Sequence, residues 1–324
     1  MVAKVAIIGL GIMGRRMLMH MRLHDNFEPD YLWDPDPLAC QEAGKLDLKS
    51  KIMSTATEAI ELADLVYLAC PPAVRETYAI EAVSSGKALF LEKPFGICIK
   101  DSEILLNRLK RYNVPIAVNF TQASGAALAD LINAKKSGEM GTLIGVDIIV
   151  TYPNWPRQWQ KDADWLRFRA EGGMTREVIS HFLFFTERVL GPLKLVFANA
   201  TFPTDPSLCE TAVLARLKSG EGQPVTILAT VGGVQPERQE FTIKGTRSSR
   251  RVSDFHKDAI SEGENFVSLR EAPKDPRAVS LKTQLDNLSL HMKGEANLLA
   301  TIDEAFRVQQ LVESILTRSG DIED

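Results

Sequence analysis

Short apolar runs alternate with helix-like segments through the first third of the chain. Residues 5–8, 31–33, 52–53, 65–69, 88–91 and 116–120 are runs too brief for helices and read as strands. Helical patterns fall between them, among them one from about Thr57, one ending near Ser85-Gly86-Lys87 and one over 101–112. Continuous apolar strands alternating with helices predict a parallel sheet covered on both faces. After Phe120 the pattern changes. One helix over 124–136, with Ser124 as its cap, stops at Ser137-Gly138, and longer strands follow at 143–152, 193–201, 212–217, 225–231 and 240–243. Thr211-Ala212-Val213-Leu214-Ala215-Arg216-Leu217 alternates in polarity, which predicts an antiparallel sheet with one face covered. Residues 261–277 are polar and read as loop. A final helix over 295–317 carries Leu298, Leu299, Ile302, Ala305, Phe306, Leu311 and Ile315 on a broad apolar stripe.

The first strand runs into Gly9-Leu10-Gly11-Ile12-Met13-Gly14, so a G-x-G-x-x-G fingerprint follows a strand and opens a helix. Its first glycine permits a tight turn, its second lets a pyrophosphate approach the backbone, and its third lets helix and strand pack closely. The helix amino end supplies unpaired N–H groups for phosphate. Asp34 closes the second strand, 20 residues past Gly14, where a dinucleotide fold places the carboxylate for the adenosine ribose 2′-hydroxyl. Pro35-Asp36-Pro37 offers no Arg, Lys or Ser to a 2′-phosphate, and Asp36 would repel one. The cofactor reading is NAD rather than NADP.

Two stretches carry further chemistry. Ala88-Leu89-Phe90-Leu91 ends in Glu92-Lys93-Pro94, and proline has no N–H with which to continue a central strand. Ligands in open parallel sheets bind just outside the carboxyl ends of the strands, where Lys93 would stand. After Gly172-Gly173, residues 176–184 read as a helix with Glu177 and His181 at i and i+4, on one face. Such a carboxylate can orient an imidazole and stabilise its cation. As a surface pair it would be worth only about 0.2–1 kcal/mol. Histidine starts near pKa ~6.5, whereas lysine near ~10.4 would need lowering by about three units to act as base at neutral pH. Proton transfer is therefore assigned to His181, leaving Lys93 to orient and polarise the oxygen. Tyr152, Trp155, Trp159, Trp165 and Arg167 form an aromatic-rich approach that either stacks on a sugar ring or packs over the sheet.

Composition adds exclusions. Hydrophobic residues are 45% and charged residues 25% of the 324, the balance of an ordinary globular chain with a real core. A formal net charge of -4 with mixed signs gives no reason to expect nucleic acid or an anionic membrane as partner. No apolar run approaches the ~18 residues of a membrane span. The first residues enter a strand at once, leaving no room for a signal peptide. Cys40, Cys70, Cys98 and Cys209 are too scattered for a zinc pattern, so no metal is expected and the thiols fit a reduced, cytoplasmic setting.

With Ala69-Cys70-Pro71-Pro72, Gly86-Lys87, Ser137-Gly138-Glu139-Met140-Gly141 and the motifs above in sequence, the chain resembles the Gfo/Idh/MocA family (glucose–fructose oxidoreductase, inositol dehydrogenase, rhizopine catabolism) along essentially its whole length. The resemblance implies an α/β fold: a Rossmann parallel-sheet domain over 1–120, then an α/β domain over 121–324 with a large, mostly antiparallel open sheet. The C-terminal helix is a candidate to pack back on the first domain. The resemblance also implies NAD(P)-dependent oxidation of a secondary alcohol on a sugar, polyol or cyclic diol, and a homodimer or homotetramer formed through the open sheet. Lys93 matches the lysine that contacts substrate and nicotinamide ribose, and His181 the general acid/base. Gly9, Gly11, Ile12, Met13, Gly14, Asp34, Cys70, Pro71, Glu92 and Lys93 form the expected cofactor set; Asn119, Thr121 and Trp165 are candidate substrate contacts. Departures stand beside these matches. Glu177 replaces the family's aspartate, Arg75 its frequent histidine, Thr121-Gln122-Ala123 its Asn-Arg-Arg, and Phe184 a second aspartate. Two other readings use the same scaffold: a redox-neutral NAD-dependent glycosidase, and a non-catalytic dinucleotide-binding sensor.

Overall fold

The apolar runs of the first third pair into one sheet. A computed structural model describes residues 2–317 and 320–321. Strands β1 (Ala3–Ile8), β2 (Phe27–Trp33), β3 (Lys51–Ile52), β4 (Leu65–Leu68), β5 (Ala88–Glu92) and β6 (Ile116–Asn119) lie in the order β3-β2-β1-β4-β5-β6, every pair parallel. Helices α1 (Ile12–Arg22), α2 (Pro37–Leu46), α3 (Ala56–Leu62), α4 (Pro72–Ser84) and α5 (Ile99–Leu109) make the crossovers. Local chemistry starts them. Asp36 caps α2 by accepting from Leu38 N–H at 2.9 Å, and Thr55 caps α3 by accepting from Glu58 N–H at 3.1 Å. Pro37 and Pro72 occupy first positions, where a missing N–H costs nothing. Every residue of β4 and β5 is buried, as strands covered on both faces require. The strand order reverses between β1 and β4, so the ligand crevice of such a sheet opens between the turns that follow those two strands.

The second sheet is larger. After α6 (Ala126–Lys136) come β7 (Leu143–Tyr152), α7 (Ser180–Leu190), β8 (Leu193–Thr201), β9 (Ala212–Ser219), β10 (Pro224–Val231), β11 (Arg238–Gly245), β12 (Ser249–Ser253), β13 (Lys257–Ser261) and β14 (Val267–Ser268). Then follow α8 (Pro276–Met292), α9 (Ile302–Thr317) and β15 (Gly320–Asp321). The sheet order is β14-β13-β12-β11-β7-β10-β9-β8-β15, antiparallel throughout except for the β7–β10 pair. Alternation sorts its faces. Val213, Ala215 and Leu217 of β9 and Val225, Ile227 and Ala229 of β10 are buried, while Leu214, Arg216, Lys218 and Leu228 point outward and are exposed. Helix α7 covers the inner face, with Phe185 edge-on to Phe241 at 4.8 Å between ring centroids. Each fully buried aromatic of this kind is worth about 1.5–3 kcal/mol relative to exposure.

The polypeptide forms two compact units. The first comprises Met1–Ala123 with Arg277–Phe306, the second Ser124–Pro276 with Arg307–Asp324. Several elements differ from the sequence expectation. Strands β12, β13, β14 and β15 are too short and polar to read as strands, and β14 lies within the stretch expected to be loop. Helix α8 is new: its apolar seam is narrow, and Leu281, Leu285 and Leu288 join Val5, Phe27, Leu65 and Phe90 in the core of the first unit. The last helix begins at Ile302 rather than 295, because Thr301 and Glu304 form a reciprocal cap. Leu298 and Leu299 precede it in extended chain, where Ala300 bridges Val118 of β6.

Candidate active site

The glycine loop lies at the strand-order reversal. Gly9 has φ +97°, and a Cβ there would stand 2.6 Å from Cys70 N, so only glycine lets the loop meet the turn after β4. A Cβ on Gly14 would fall 1.9 Å from Gly9 O, which fixes the close packing of helix on strand. Gly11 is different: it is exposed, and a Cβ there would meet nothing within 4 Å. That open approach lies at the amino end of α1, whose first turn has no side-chain cap, with Ile12 and Met13 half-exposed beside it. Asp34 serves the loop directly. Its Oδ2 accepts from Leu10 N–H at 2.7 Å and its Oδ1 from Asp36 N–H at 2.9 Å. Cys70 is buried and Pro71 exposed at the opposing turn. An open backbone for a pyrophosphate, with a carboxylate braced at the end of β2, fits NAD.

Lys93 leaves the end of β5 over a buried polar network. Glu92 is 5% exposed; its Oε1 accepts from the Tyr67 hydroxyl and, at 2.6 Å, from Asn119 Nδ2. Asn119 Oδ1 in turn accepts from Gln284 Nε2 at 3.2 Å. Both ends of the Asn119 amide are therefore engaged within the protein, so it stands as a support for Glu92. Burial raises the Glu92 carboxyl, against the lowering effect of its Tyr67 and Asn119 bonds, and burial with the nearby Glu92 pushes the Tyr67 phenol well up. Thr121 is half-buried in the single turn that follows β6.

The second unit holds Glu177, His181 and Trp165. Gly172 and Gly173 lead into the histidine helix, and both need to be glycine: a Cβ would lie 2.2 Å from Leu166 O at the first and 2.4 Å from Glu210 Oε2 at the second, where φ is +105°. The Glu210 carboxylate then caps the helix, its Oε1 accepting from Thr175 N–H at 2.7 Å and Thr175 Oγ1 at 2.6 Å. The first turn, Thr175–Ile179, is of the wide π type, a local unwinding common at functional sites, and it carries Glu177. Arg176 locks this turn through paired bonds of 2.6 and 2.7 Å to Glu313 of α9. Glu177 Oε1 accepts from Gln160 Nε2 at 3.2 Å, and Gln160 Oε1 accepts from Arg157 Nε at 2.8 Å. The Arg157 guanidinium rests over Trp159 at 4.7 Å, Tyr152 at 5.3 Å and Trp155 at 5.8 Å. His181 is half-buried, with its ring 5.6 Å from Phe255. Trp165 is 36% exposed on a short turn.

Residues 3–120 match the family model described as "Oxidoreductase family, NAD-binding Rossmann fold", that of the Gfo/Idh/MocA proteins. The domain over residues 3–120 is thus a Gfo/Idh/MocA-type NAD-binding domain. An uncharacterized oxidoreductase of Streptococcus pneumoniae serotype 4 is 26% identical over 176 residues, which are 52% of this chain and 45% of the relative. The chain spans less than half the length of the curated relatives it matches. Solved structures extend the likeness to both domains. An oxidoreductase from Thermotoga maritima superimposes with a TM-score of 0.85 at 16% identity, covering 99% of this chain and 97% of its own. A scyllo-inositol dehydrogenase from Lactobacillus casei, solved with NAD(H) and scyllo-inositol, gives 0.79 at 14% identity, covering 97% and 96%. At these identities the likeness is one of fold.

The glycine loop, Asp34, Cys70, Pro71, Glu92, Lys93, Asn119 and Thr121 all lie in the first unit, at or just beyond the carboxyl ends of its strands. Trp165, Glu177 and His181 lie in the second. Three supports escaped the sequence reading: Gln160 behind Glu177, Glu210 under the π turn, and Gln284 behind Asn119. None sits in a motif. The Glu210 role had one signal, the paired glycines at 172–173 that leave room for its carboxylate. Phe184, at the position of the family's second aspartate, is fully buried and offers nothing to a polar ligand.

Proposed function

We propose that this protein is an NAD-dependent dehydrogenase that oxidises a secondary alcohol of a sugar, polyol or cyclic diol. The observation that carries the reading is Lys93, set on rigid backbone at the end of β5, beside the strand-order reversal where the glycine loop opens. The glycine loop and Asp34 would hold NAD, which would supply the acceptor for the hydride of the carbinol carbon. Lys93 donates to the substrate oxygen and orients it. His181, on a helix braced by Glu210 and Arg176, takes the hydroxyl proton as the carbonyl forms. Glu177 holds His181 for that task, itself held by Gln160. The sugar or polyol class is supported by the relative solved with scyllo-inositol.

A screen of sugars, polyols and cyclic diols with NAD, followed by NADH absorbance, tests this. A substrate with stoichiometric NADH and ketone is the expected result. Glycoside cleavage with no net NADH would replace the reading with the redox-neutral one. Dinucleotide binding with no turnover of any such compound would point to a sensor.

A further inference from the structure

Arg75 stands on α4, one turn past Pro71-Pro72, and is 2% exposed. Its Nη1 donates to the carbonyl oxygens of Glu92, at 2.5 Å, and of Pro94; its Nη2 donates to the Cys70 carbonyl at 2.8 Å. These carbonyls belong to the turns that leave β4 and β5. Lys93 lies between two of them. Among the described residues its hydrogen-bond partners are carbonyl oxygens and no carboxylate, since the Glu92 side chain is turned to Tyr67 and Asn119, and Nε has no hydrogen-bond partner. A guanidinium retains its proton in such a setting. The strand ends of the cofactor-binding domain thus hold a buried cation that, among the described residues, makes no hydrogen bond to an acid; the Glu92 carboxyl acts on it only through space.

We infer that Arg75 is a positioning residue that clamps the Lys93 backbone on both sides, and that its charge biases bound dinucleotide toward the reduced form. The clamp follows from geometry: one planar fork reaches three acceptors on two turns, which a lysine ammonium on a single flexible stem cannot reproduce. The bias follows from charge. The nicotinamide ring is cationic when oxidised and neutral when reduced, while the pyrophosphate is the same in both. A buried positive charge at the same strand ends disfavours only the oxidised ring. The clamp rests on the reading of Lys93 given above; the bias does not.

The test uses the full chain and two titrations, NAD⁺ and NADH, followed by tryptophan fluorescence, with steady-state kinetics alongside. Arg75→Met should shift the ratio of the two dissociation constants toward NAD⁺ by about tenfold, ~1.4 kcal/mol. Arg75→Lys should leave that ratio near the wild-type value yet lower kcat about 10²-fold with little change in the KM for NAD. If Arg75→Met does not fold, Arg75→Gln supplies the neutral side chain. A wild-type ratio in the neutral variant overturns the bias, and full kcat in Arg75→Lys overturns the clamp. Lys93→Met separates the two readings: if it keeps full turnover, the role given to Lys93 fails, while the binding ratio still decides the charge effect.

Discussion

Asp34 should make the protein choose NAD over NADP. Its carboxylate closes β2 with one oxygen on Leu10 N–H and the other on Asp36 N–H, and the Asp36 carboxylate caps α2 next to it. A 2′-phosphate there would bring roughly two negative charges to within ~4 Å of Asp34. The repulsion is about 2 kcal/mol if fully solvated and about 8 kcal/mol at an effective dielectric of ~20. Even the lower figure makes NAD bind about 30-fold tighter. Asp34→Asn keeps the shape and removes the charge. Its single oxygen cannot accept from both Leu10 and Asp36, so one backbone donor loses its partner at a cost of about 1–3 kcal/mol. The variant should therefore bind NAD more weakly, with the gap to NADP narrowed to below about tenfold. Calorimetric titration with both dinucleotides at two salt concentrations reads this out, and the wild-type gap should shrink as salt screens the repulsion. Equal affinities in the wild type, or an unchanged ratio in Asp34→Asn, would refute the reasoning.

Three further outcomes are expected. His181→Ala should lower kcat about 10²- to 10⁴-fold; Glu177→Gln should slow turnover and move the acidic limb of the pH profile down, and the double variant should be little worse than His181→Ala, whereas multiplicative losses would make Glu177 an independent substrate ligand. Exposed Leu214 and Leu228 are cross-strand partners on the outer sheet face, with Ile149 beside Leu228, and this apolar row should be covered by a second copy; sedimentation of a monomer at micromolar concentration would count against that. Burial opposes ionisation of Asp47, but the Ser50 hydroxyl at 2.6 Å and Arg22 at 2.8 Å outweigh it and hold the carboxyl below its ordinary 3.8. Its stabilising effect is thus complete above that value and lost as pH falls through the folded one, so Asp47→Asn should flatten the acid limb of a denaturation-midpoint profile below about pH 4.

The first domain was legible because its signals are local. Strands buried on both faces are unbroken apolar runs, and the glycines at 9, 11 and 14 are tied to a turn a few residues long. Five strands of the second sheet were legible as long or alternating runs, whereas the short polar strands β12 to β15 were not. What the sequence concealed depends on partners far along the chain. Arg75 stands out in the sequence only as a replacement for the family's frequent histidine, because the carbonyls that satisfy it carry no side-chain signature. Gln160 and Gln284 are lone amides in polar surroundings, and only folding gives them Glu177 and Asn119. Helix α8 was overlooked because Leu281, Leu285 and Leu288 stand among Lys282, Gln284, Asp286 and Asn287, a seam too thin beside the stripe that follows. That stripe misled in turn: Leu298 and Leu299 extend the apolar pattern backward past Thr301, although Thr301 and Glu304 already spell a helix start.

The inclusion of Arg277–Phe306 in the first unit has a consequence for how the protein comes into being. A ribosome adding about 5–20 residues per second needs roughly 8–30 s to travel from Ala123 to Leu281. Throughout that interval the nascent parallel sheet has its strands but lacks Leu281, Leu285, Leu288 and Leu299, so part of its apolar face stays open to water. The Asn119 amide likewise waits for Gln284. The nucleotide-binding half is begun before the second unit, yet it cannot be completed until Ser124–Pro276 of that unit has been made.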